Sequence, residues 1–212
     1  MSSKADIRKF SAEELTEEIV KLGEPKFRAK QMHEWLWKKS ARSFEEMTNL
    51  SKEFRTKLAE HFTLLPVTEN IVQKSKDGTV KLGMMLTDNR LIEGVMIPDE
   101  DRSTACVSSQ VGCSLSCSFC ATGFLKRERN LEAGEIYDQV VLLNKYALEH
   151  NGKPLTNIVY MGMGEPLLNY DNVLKSIRLI TSPEGLNMAQ KRITVRTSGI
   201  ARGIARMADE GM

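Results

Sequence analysis

Three cysteines within one short stretch are the side chains of this sequence with the clearest capacity for chemistry. Cys113, Cys117 and Cys120 are separated by three and by two residues, so their thiolates can face one soft metal centre from a single loop. A cluster of four irons that is held by only three protein sulfurs leaves one iron open to a small molecule. The spacing therefore predicts an iron–sulfur cluster at these three residues, with one iron available to a non-protein ligand.

Two other uses of the cysteines stay open on spacing alone. Structural zinc, with Cys106 as a fourth ligand, is disfavoured because such sites usually carry two close pairs of ligands, whereas Cys106 stands apart from the triplet. Disulfides are disfavoured because the stretch from Met1 to Phe10 has no apolar signal region, which predicts a reducing, cytoplasmic location. No apolar run approaches the length that crosses a bilayer, so no membrane partner is expected.

The overall composition is typical of one or two globular domains. The chain has 212 residues, of which 41% are hydrophobic and 27% charged. Its formal net charge of +2 is too small to indicate a nucleic-acid partner by itself. Evidence for such a partner must therefore come from how the charges are distributed along the chain.

Residues 1–63 predict a small all-helical domain. Ser11 and Glu14 form a capping-box pattern, and Gly23 and Pro25 interrupt the helix that follows. Ser51 opens a further helix with apolar residues on one face. One short segment combines six basic residues with two tryptophans: Lys26, Arg28, Lys30, Trp35, Trp37, Lys38, Lys39 and Arg42. Such a segment is either a solvated helix with core tryptophans or a surface that contacts RNA phosphates and bases.

Residues 64–103 change to a β pattern. Ile71–Ser75 and Val80–Leu86 flank an Asp-Gly turn signal, and a second turn leads to Leu91–Ile97. The pattern predicts a three-stranded antiparallel meander that links two domains. Glu93 falls in its last strand, where a lone glutamate usually faces solvent.

Residues 104–212 alternate strands with helices. Strands are predicted at Ala105–Ser109, Asn157–Met161 and Arg192–Thr197, and a helix follows each of them. This βαβαβα order indicates an α/β domain with a parallel sheet of about three βα units. Loops at the carboxyl ends of parallel strands form the usual rim of an active site, and the cysteine loop lies on that rim.

A glycine-rich loop follows the second of these strands. Gly162-Met-Gly-Glu-Pro166 allows close approach of the backbone to a ligand, and the carboxylate of Glu165 can pair with an ammonium group. Such a loop is by itself more often only a turn. Its place one βα unit after the cysteine loop makes Gly164 and Glu165 candidate contacts of a cofactor.

These motifs together resemble a known family. Cys113, Cys117 and Cys120, with the aromatic Phe119, resemble the signature of radical S-adenosylmethionine (SAM) enzymes. The runs Cys106–Cys113 and Met161–Asn169 resemble the RlmN/Cfr RNA-adenine methyltransferases, and the RlmN branch more than the Cfr branch. The resemblance implies a partial (β/α) radical SAM barrel, preceded by the helical domain and the meander. It implies a 4Fe-4S cluster and S-adenosyl-L-methionine as cofactors, with Gly164 and Glu165 contacting the latter.

The resemblance also assigns further residues. Glu93 matches the family's proposed proton acceptor near the target base, and Cys106 matches the thiol that resolves a covalent protein–RNA adduct by forming a disulfide. The family carries the methyl group on a C-terminal cysteine, but no cysteine follows Cys120, so these residues are expected to be a fragment. Arg196 departs from the family pattern, which has a small hydroxyl residue there and leaves Thr197 or Ser198 as substitutes.

The implied function is methylation of C2 of an adenosine in large-subunit 23S ribosomal RNA, and of transfer RNA, with electrons from a flavodoxin-type protein. The helical domain at residues 1–63 would contact the RNA, as in the family. Three alternatives stay open: a Cfr-like C8 methyltransferase, a zinc-binding RNA-binding module, and a radical enzyme with a protein substrate. The basic, tryptophan-bearing segment favours RNA over protein as the substrate.

Overall fold

A computed structural model describes residues 4–211, which form two compact units. One unit comprises residues 4–66 together with Leu179–Asn187, and the other comprises Val67–Arg178 together with residues 188–211. Within residues 4–211, no helix is both long enough and apolar enough to span a membrane.

The first unit is mostly helical. Its helices are α1 (Ala12–Lys21), α2 (Phe27–His33) with a π-helical continuation (Glu34–Lys38), and α3 (Lys52–His61). The predicted capping box is confirmed, because the Glu14 N–H donates to Ser11 Oγ at 3.1 Å and the Ser11 N–H donates to Glu14 Oε2 at 2.7 Å. The core of the unit is built from apolar side chains that are almost fully buried: Ile7, Ile19, Met32, Met47, Leu50, Phe54 and Leu58.

The prediction that this unit is all-helical is wrong in one detail. Strand β1 (Ala5–Asp6) pairs in parallel with strand β2 (Phe62–Thr63), which follows α3 directly. Each strand has only two residues, so neither shows the alternation by which a strand is predicted from sequence. The pairing depends instead on the fold bringing the two ends of the helical segment together.

The second unit is organised around one six-stranded sheet. Its strands are β3 (Thr68–Lys74), β4 (Val80–Met85), β5 (Leu91–Pro98), β6 (Ser103–Cys106), β9 (Asn157–Tyr160) and β10 (Ile193–Val195). Their order across the sheet is β10-β9-β6-β5-β4-β3. Two further short strands, β7 (Gln110–Val111) and β8 (Arg129–Asn130), form an antiparallel pair.

The antiparallel meander is confirmed, but it is not a separate linking domain. β3, β4 and β5 pair antiparallel, and β5 continues the sheet by pairing with β6. The edge backbone groups of β6 would otherwise lack a partner on that side, so the meander satisfies them. The outer boundaries predicted for the domains, 1–63 and 104–212, stay predictions, and Met1–Ser3 and Met212 lie outside the described residues.

The three predicted βα units are confirmed. β6, β9 and β10 run parallel, and they are followed by α4 (Ala133–Asn151), α5 (Tyr170–Thr181) and α6 (Ala201–Asp209) respectively. An α/β domain with a parallel sheet, as the sequence predicts, is therefore present, and it has the architecture of a partial barrel.

The two faces of the meander differ in what covers them. α4 packs against β4, β5 and β6, where alternate residues such as Leu82, Ile92 and Ala105 are fully buried. The intervening residues of the same strands, which include Lys81, Glu93 and Cys106, are exposed or half-buried. Because side chains alternate along a strand, these polar residues share the face of the sheet opposite α4.

Candidate active site

The three predicted cluster ligands lie in one loop between β7 and β8. The loop begins at Gly112, where a Cβ atom would lie 2.2 Å from the carbonyl oxygen of Lys126, so only glycine allows the two ends to meet so closely. The Cys113 N–H donates to the Leu125 oxygen at 3.4 Å across the same point. Inside the loop, the Cys120 N–H donates to the Cys117 oxygen at 3.0 Å. The backbone thus closes a compact thiol-bearing loop.

All three thiols are partly accessible. Cys113, Cys117 and Cys120 are half-buried free cysteines. Within the part of the chain that the structure describes, no three Cys, His, Asp or Glu side chains converge closely enough to hold a metal ion. The three thiols therefore lie on one loop, but their sulfur atoms do not point to a common centre. A cavity of about 520 Å³ adjoins the loop. It is lined by Cys113, Ser114, Ser116, Gly123, Phe124, Leu125, Lys126 and Arg127.

The predicted glycine loop lies directly beside the chain that leads into the cysteine loop. β6 and β9 are parallel neighbours, and each continues past its carboxyl end into one of the two loops. The Ser109 N–H donates to the Met163 oxygen at 2.8 Å, and the Met163 N–H donates to Ser108 Oγ at 2.8 Å. The two sequence motifs are therefore brought together at one edge of the sheet, as the βα pattern predicts.

Gly164 occupies a position that no other residue can fill without strain. Its φ is +96°, in the left-handed region, and a Cβ atom would lie 2.5 Å from Gln110 Cβ and 2.8 Å from the Gln110 nitrogen. The backbone at Gly164 consequently packs against the entry to the cysteine loop. The structure places Gly164 at the predicted rim, and its contact with a cofactor stays a prediction.

Glu165 has internal partners that the sequence did not reveal. Its side chain is only 3% exposed, and Oε1 accepts the Leu167 N–H at 2.9 Å. Oε2 accepts both the Ser198 N–H at 2.7 Å and the Ser198 hydroxyl at 3.0 Å. The carboxylate therefore holds the loop after β9 against the loop after β10. Its pairing with a cofactor ammonium stays a prediction.

The loop after β10 also shows what happens at the position that departs from the family pattern. Arg196 follows β10 directly and is exposed. Thr197 Oγ1 accepts the Gly199 N–H at 3.1 Å and the Ile200 N–H at 3.3 Å, so it caps the turn into α6. Ser198 is bound to Glu165. Both proposed substitutes for the missing hydroxyl are thus already used in shaping this loop.

Cys106 and Glu93 lie on the same uncovered face of the sheet. Cys106 is directly opposite Val95 in the β5–β6 pair, and Glu93 is two residues along β5 from Val95. Burial raises the pKa of the Cys106 thiol, and a hydrogen bond from the Met161 N–H opposes this with a smaller effect. Glu93 is exposed, and its carboxylate forms an ion pair with Lys81 at 2.7 Å.

A network of charged side chains fastens the segment after the cysteine loop. Arg129 donates to both oxygens of Glu135 at 2.7 and 2.8 Å, and to Asp88 at 2.6 Å. Arg90 in turn pairs with Asp88 at 2.8 Å and with Glu128 at 2.5 Å. The network joins the β4–β5 turn to β8 and to the first turn of α4, so it fixes the point where the cysteine loop ends.

This network predicts a measurable pH dependence. The hydrogen bond from Arg129 lowers the pKa of Asp88 from 3.8 to about 2. Because the folded-state pKa lies below the unfolded one, the Asp88 carboxylate stabilises the fold above about pH 4, and this contribution is lost as the pH falls towards 2. We expect D88N to lower the free energy of unfolding by about 0.5–1 kcal/mol at pH 7 and by almost nothing near pH 2, as measured by urea titration.

Asp101 provides a matched control, because it is an exposed aspartate of the same unit. D101N is expected to leave the free energy of unfolding nearly unchanged at each pH. A D88N effect that is constant from pH 7 to pH 2 would contradict the role assigned to the Arg129–Asp88 pair.

The predicted RNA-contacting segment lies in the first unit and divides into core and surface. Trp37 is only 4% exposed and belongs to the core, whereas Trp35 is half-buried and donates its indole N–H to Asn49. The Lys39 ammonium lies 4.1 Å from the centroid of the Trp35 ring. Phe27 is 58% exposed beside Arg28, whose guanidinium carbon lies 5.1 Å from its ring centroid. Each pair therefore combines an exposed group, Lys39 or Phe27, with a half-buried partner of the opposite kind, an arrangement that suits base stacking.

Several residues that build the site were missed by the sequence analysis. Ser108 and Gln110 bind the glycine loop through their side chains, and Asn169 donates to the oxygens of Ser109 and Leu131 at 2.8 Å each. Polar residues in an otherwise apolar strand–loop region were the available signal. Lys81 was also missed, and counting residues back from the predicted turn at 88–89 could have placed it near Glu93.

The class of the protein follows from comparison with known families. Residues 107–212 match the sequence model of the Radical SAM superfamily. They contain the cysteine loop, the glycine loop and the helices α4, α5 and α6 that follow the parallel strands. Residues 5–64 match the model of the ribosomal RNA large subunit methyltransferase N-terminal domain. The fold and the three-cysteine loop thus belong to a radical SAM protein with this N-terminal domain.

Individual relatives narrow the assignment. A protein of Cytophaga hutchinsonii named probable dual-specificity RNA methyltransferase RlmN is 62% identical over 204 residues, which are 96% of this chain and 56% of that protein. A Flavobacterium psychrophilum protein of the same name is 54% identical over 98% of this chain and 60% of its own length. The crystal structure of a radical SAM methyltransferase from Sphaerobacter thermophilus matches with a TM-score of 0.87 and 41% identity, over 97% of this chain and 60% of that one.

The chain belongs to the RlmN family of radical SAM proteins. It spans 56% to 60% of the length of these relatives.

Proposed function

We propose that this protein acts as a radical SAM methyltransferase that methylates C2 of an adenosine in 23S ribosomal RNA and in transfer RNA. The observation that supports this most strongly is that the glycine loop is hydrogen-bonded to the segment that leads from β6 into the cysteine loop. The names of the relatives, which describe dual-specificity RNA methyltransferases, support RNA as the substrate.

The residues of the two loops fit the cofactors that this function requires. Cys113, Cys117 and Cys120 would hold a 4Fe-4S cluster, because three partly accessible thiols on one closed loop are a suitable donor set. Gly164 is half-buried and packs against Gln110, so its backbone lies beside the entry to that loop, where it would contact S-adenosyl-L-methionine. When bound, these cofactors supply a carbon radical that can take hydrogen from an unactivated methyl group.

The uncovered face of the sheet would carry the acid–base and thiol chemistry. The Glu93 carboxylate accepts the proton that leaves the aromatic carbon when the methyl group replaces it. The Cys106 thiol lies one strand away on the same face, where its sulfur would form a disulfide with the methyl-carrying cysteine of the full-length protein as the bond from that cysteine to the RNA breaks. Burial raises the pKa of this thiol, so the protonated form is favoured at neutral pH.

The proposed methylation requires an RNA substrate and an electron donor as partners. Trp35, Lys39, Phe27 and Arg28 of the first unit would contact the RNA, with stacking on exposed rings and charge neutralisation by the basic side chains. A flavodoxin-type protein would supply the electron. We propose the cytoplasm as the location, because a reducing compartment keeps the loop cysteines available to iron.

Analysis of the RNA product tests the proposal. The experiment uses the chain extended to the full length of its relatives and a 23S ribosomal RNA segment that lacks the modification. We expect mass spectrometry of the digested RNA to detect 2-methyladenosine. Formation of 8-methyladenosine would favour the Cfr-like alternative. RNA binding without any methylated product, together with bound zinc instead of iron, would favour the RNA-binding module and contradict the proposal.

A further inference from the structure

The ion pair between Lys81 and Glu93 has a position that separates it from an ordinary surface pair. In the β4–β5 pair, Lys81 lies opposite Val95 and Glu93 lies opposite Gly83, so the two side chains are diagonal neighbours on one face. Their charged groups are 2.7 Å apart. Both side chains are about half exposed, 42% for Lys81 and 53% for Glu93, so the pair contributes little to folding stability.

The register places this pair at the site and not elsewhere on the sheet. Lys81, Val95 and Cys106 form one row across β4, β5 and β6, since Val95 pairs with both of the others. Glu93 lies one row further towards the carboxyl end of β6, because β5 runs antiparallel to β6. That end is the one at which the cysteine loop and the glycine loop begin.

A second contact ties Glu93 to the glycine loop. The Ser108 hydroxyl donates to the backbone oxygen of Glu93 at 2.6 Å and accepts the N–H of Met163 at 2.8 Å. The backbone of Glu93 is thus fixed relative to the rim, while its carboxylate forms an ion pair with Lys81. The side-chain orientation of Glu93 depends on the lysine.

We propose that Lys81 is a positioning residue that orients the Glu93 carboxylate on the uncovered face of the sheet, where the carboxylate can accept the proton of the target base. The inference rests on the proposed function. Lys81 keeps its own protons throughout, and the proton that leaves the ring carbon moves to a carboxylate oxygen of Glu93. The ion pair fixes the direction of the carboxylate, and a general base must lie within hydrogen-bond reach of the proton that it accepts.

The groups around Glu93 make the effect of Lys81 separable. Lys81 faces it from β4, and Cys106 is the titratable neighbour on the same face from β6. β7, which lies near β5, carries the non-titratable Gln110 and Val111, and α4 packs on the opposite face. Substituting Lys81 therefore changes the cationic partner of Glu93 without altering the covered face.

The first measurement uses the 212-residue chain with ¹³C-labelled glutamate. The Glu93 carboxyl resonance is assigned by its loss in E93Q, and its chemical shift and side-chain order are measured by NMR at pH 7. We expect K81M to move the resonance and to increase the mobility of the side chain, and K81R to return both towards the original values. The control is K145M, which removes a lysine paired with Glu69 at 3.3 Å elsewhere in the same unit and is expected to leave the Glu93 resonance unchanged. An identical chemical shift and order of Glu93 in K81M and in the unsubstituted chain would overturn the proposal.

The second measurement uses the chain extended to the full length of its relatives, supplied with SAM, reductant and RNA. We expect K81M to slow release of the methylated RNA at least tenfold and to accumulate the covalent protein–RNA adduct on a denaturing gel. K81R should restore most of the rate, and K145M should behave as the unsubstituted protein. A merely structural lysine would not give a rescue that follows charge.

The two possible failures are distinguishable through C106A, which removes the thiol that frees the RNA. If C106A traps an adduct but K81M releases product normally, the role of Lys81 is refuted and the proposed function stands. If neither C106A nor K81M ever yields an adduct or a methylated product, the proposed function fails and the inference fails with it.

Discussion

Replacing any one of Cys113, Cys117 and Cys120 by alanine is expected to abolish the bound iron–sulfur cluster. Each thiolate is the protein ligand of a different iron in the cluster. Loss of one thiol leaves only two protein sulfurs, which cannot hold the four irons. After anaerobic reconstitution with iron and sulfide, we expect the unsubstituted chain to carry about four irons and a broad charge-transfer absorption. Each of the three alanine variants should lose most of this iron and the absorption.

Cys106 is the matched control for this experiment. It is also a half-buried free cysteine, but it lies at the end of β6 and outside the loop. We expect C106A to retain the iron content and the spectrum of the unsubstituted chain. Loss of metal in C106A together with the other three variants would instead support a site with four cysteine ligands, as the zinc alternative requires.

The second large effect is expected from G164A. A methyl group at this position meets Gln110 at 2.5 Å in addition to imposing a left-handed conformation on alanine. The conformation alone costs about 1–2 kcal/mol, and displacement of packed neighbours adds about 1–3 kcal/mol. We expect G164A to reduce the free energy of unfolding by about 2–5 kcal/mol, as measured by urea denaturation, and to weaken SAM binding to the reconstituted chain.

Gly199 separates the two contributions. Its φ is +107°, also in the left-handed region, but a Cβ atom there would have no neighbour within 4 Å. G199A is therefore expected to show only the conformational cost of about 1–2 kcal/mol. Equal destabilisation by G164A and G199A would mean that the contact between Gly164 and Gln110 does not hold the glycine loop in place.

The elements that the sequence predicts well are those with local signals. The Ser11 capping box, the Asp77-Gly78 turn between β3 and β4, and helix α5 each depend on residues close together in the chain, and the structure contains all three. The parallel order of β6, β9 and β10 was predictable because helices alternate with these strands.

The features that could not be predicted depend on contacts between distant residues. β1 pairs with β2 although more than fifty residues separate them, and no pattern in two-residue strands announces this. Glu165 is bound by Ser198, which is 33 positions away in a different loop. The sequence could place Glu165 in a glycine-rich loop, but the direction of its carboxylate depends on how β9 and β10 pair.

The site shows the same division. The spacing of Cys113, Cys117 and Cys120 was sufficient to predict their common chemistry, because the three lie within one loop. The relation of Glu93 to Lys81 and Cys106 required the register of three strands, and a shift of one residue in that register would place Glu93 on the face that α4 covers. The role of Glu93 came from a family resemblance, and its partner came only from the structure.

The central claim is that the cysteine loop holds a four-iron cluster with one iron open to SAM. Electron paramagnetic resonance of the anaerobically reconstituted and reduced chain, recorded before and after addition of SAM, tests it directly. We predict that the reduced chain gives the signal of a 4Fe-4S cluster and that this signal changes when SAM is added. S-adenosylhomocysteine, which lacks the sulfonium charge, is the control and should leave the signal unchanged. A chain that binds zinc without iron, or a cluster whose signal is indifferent to SAM, would contradict the account.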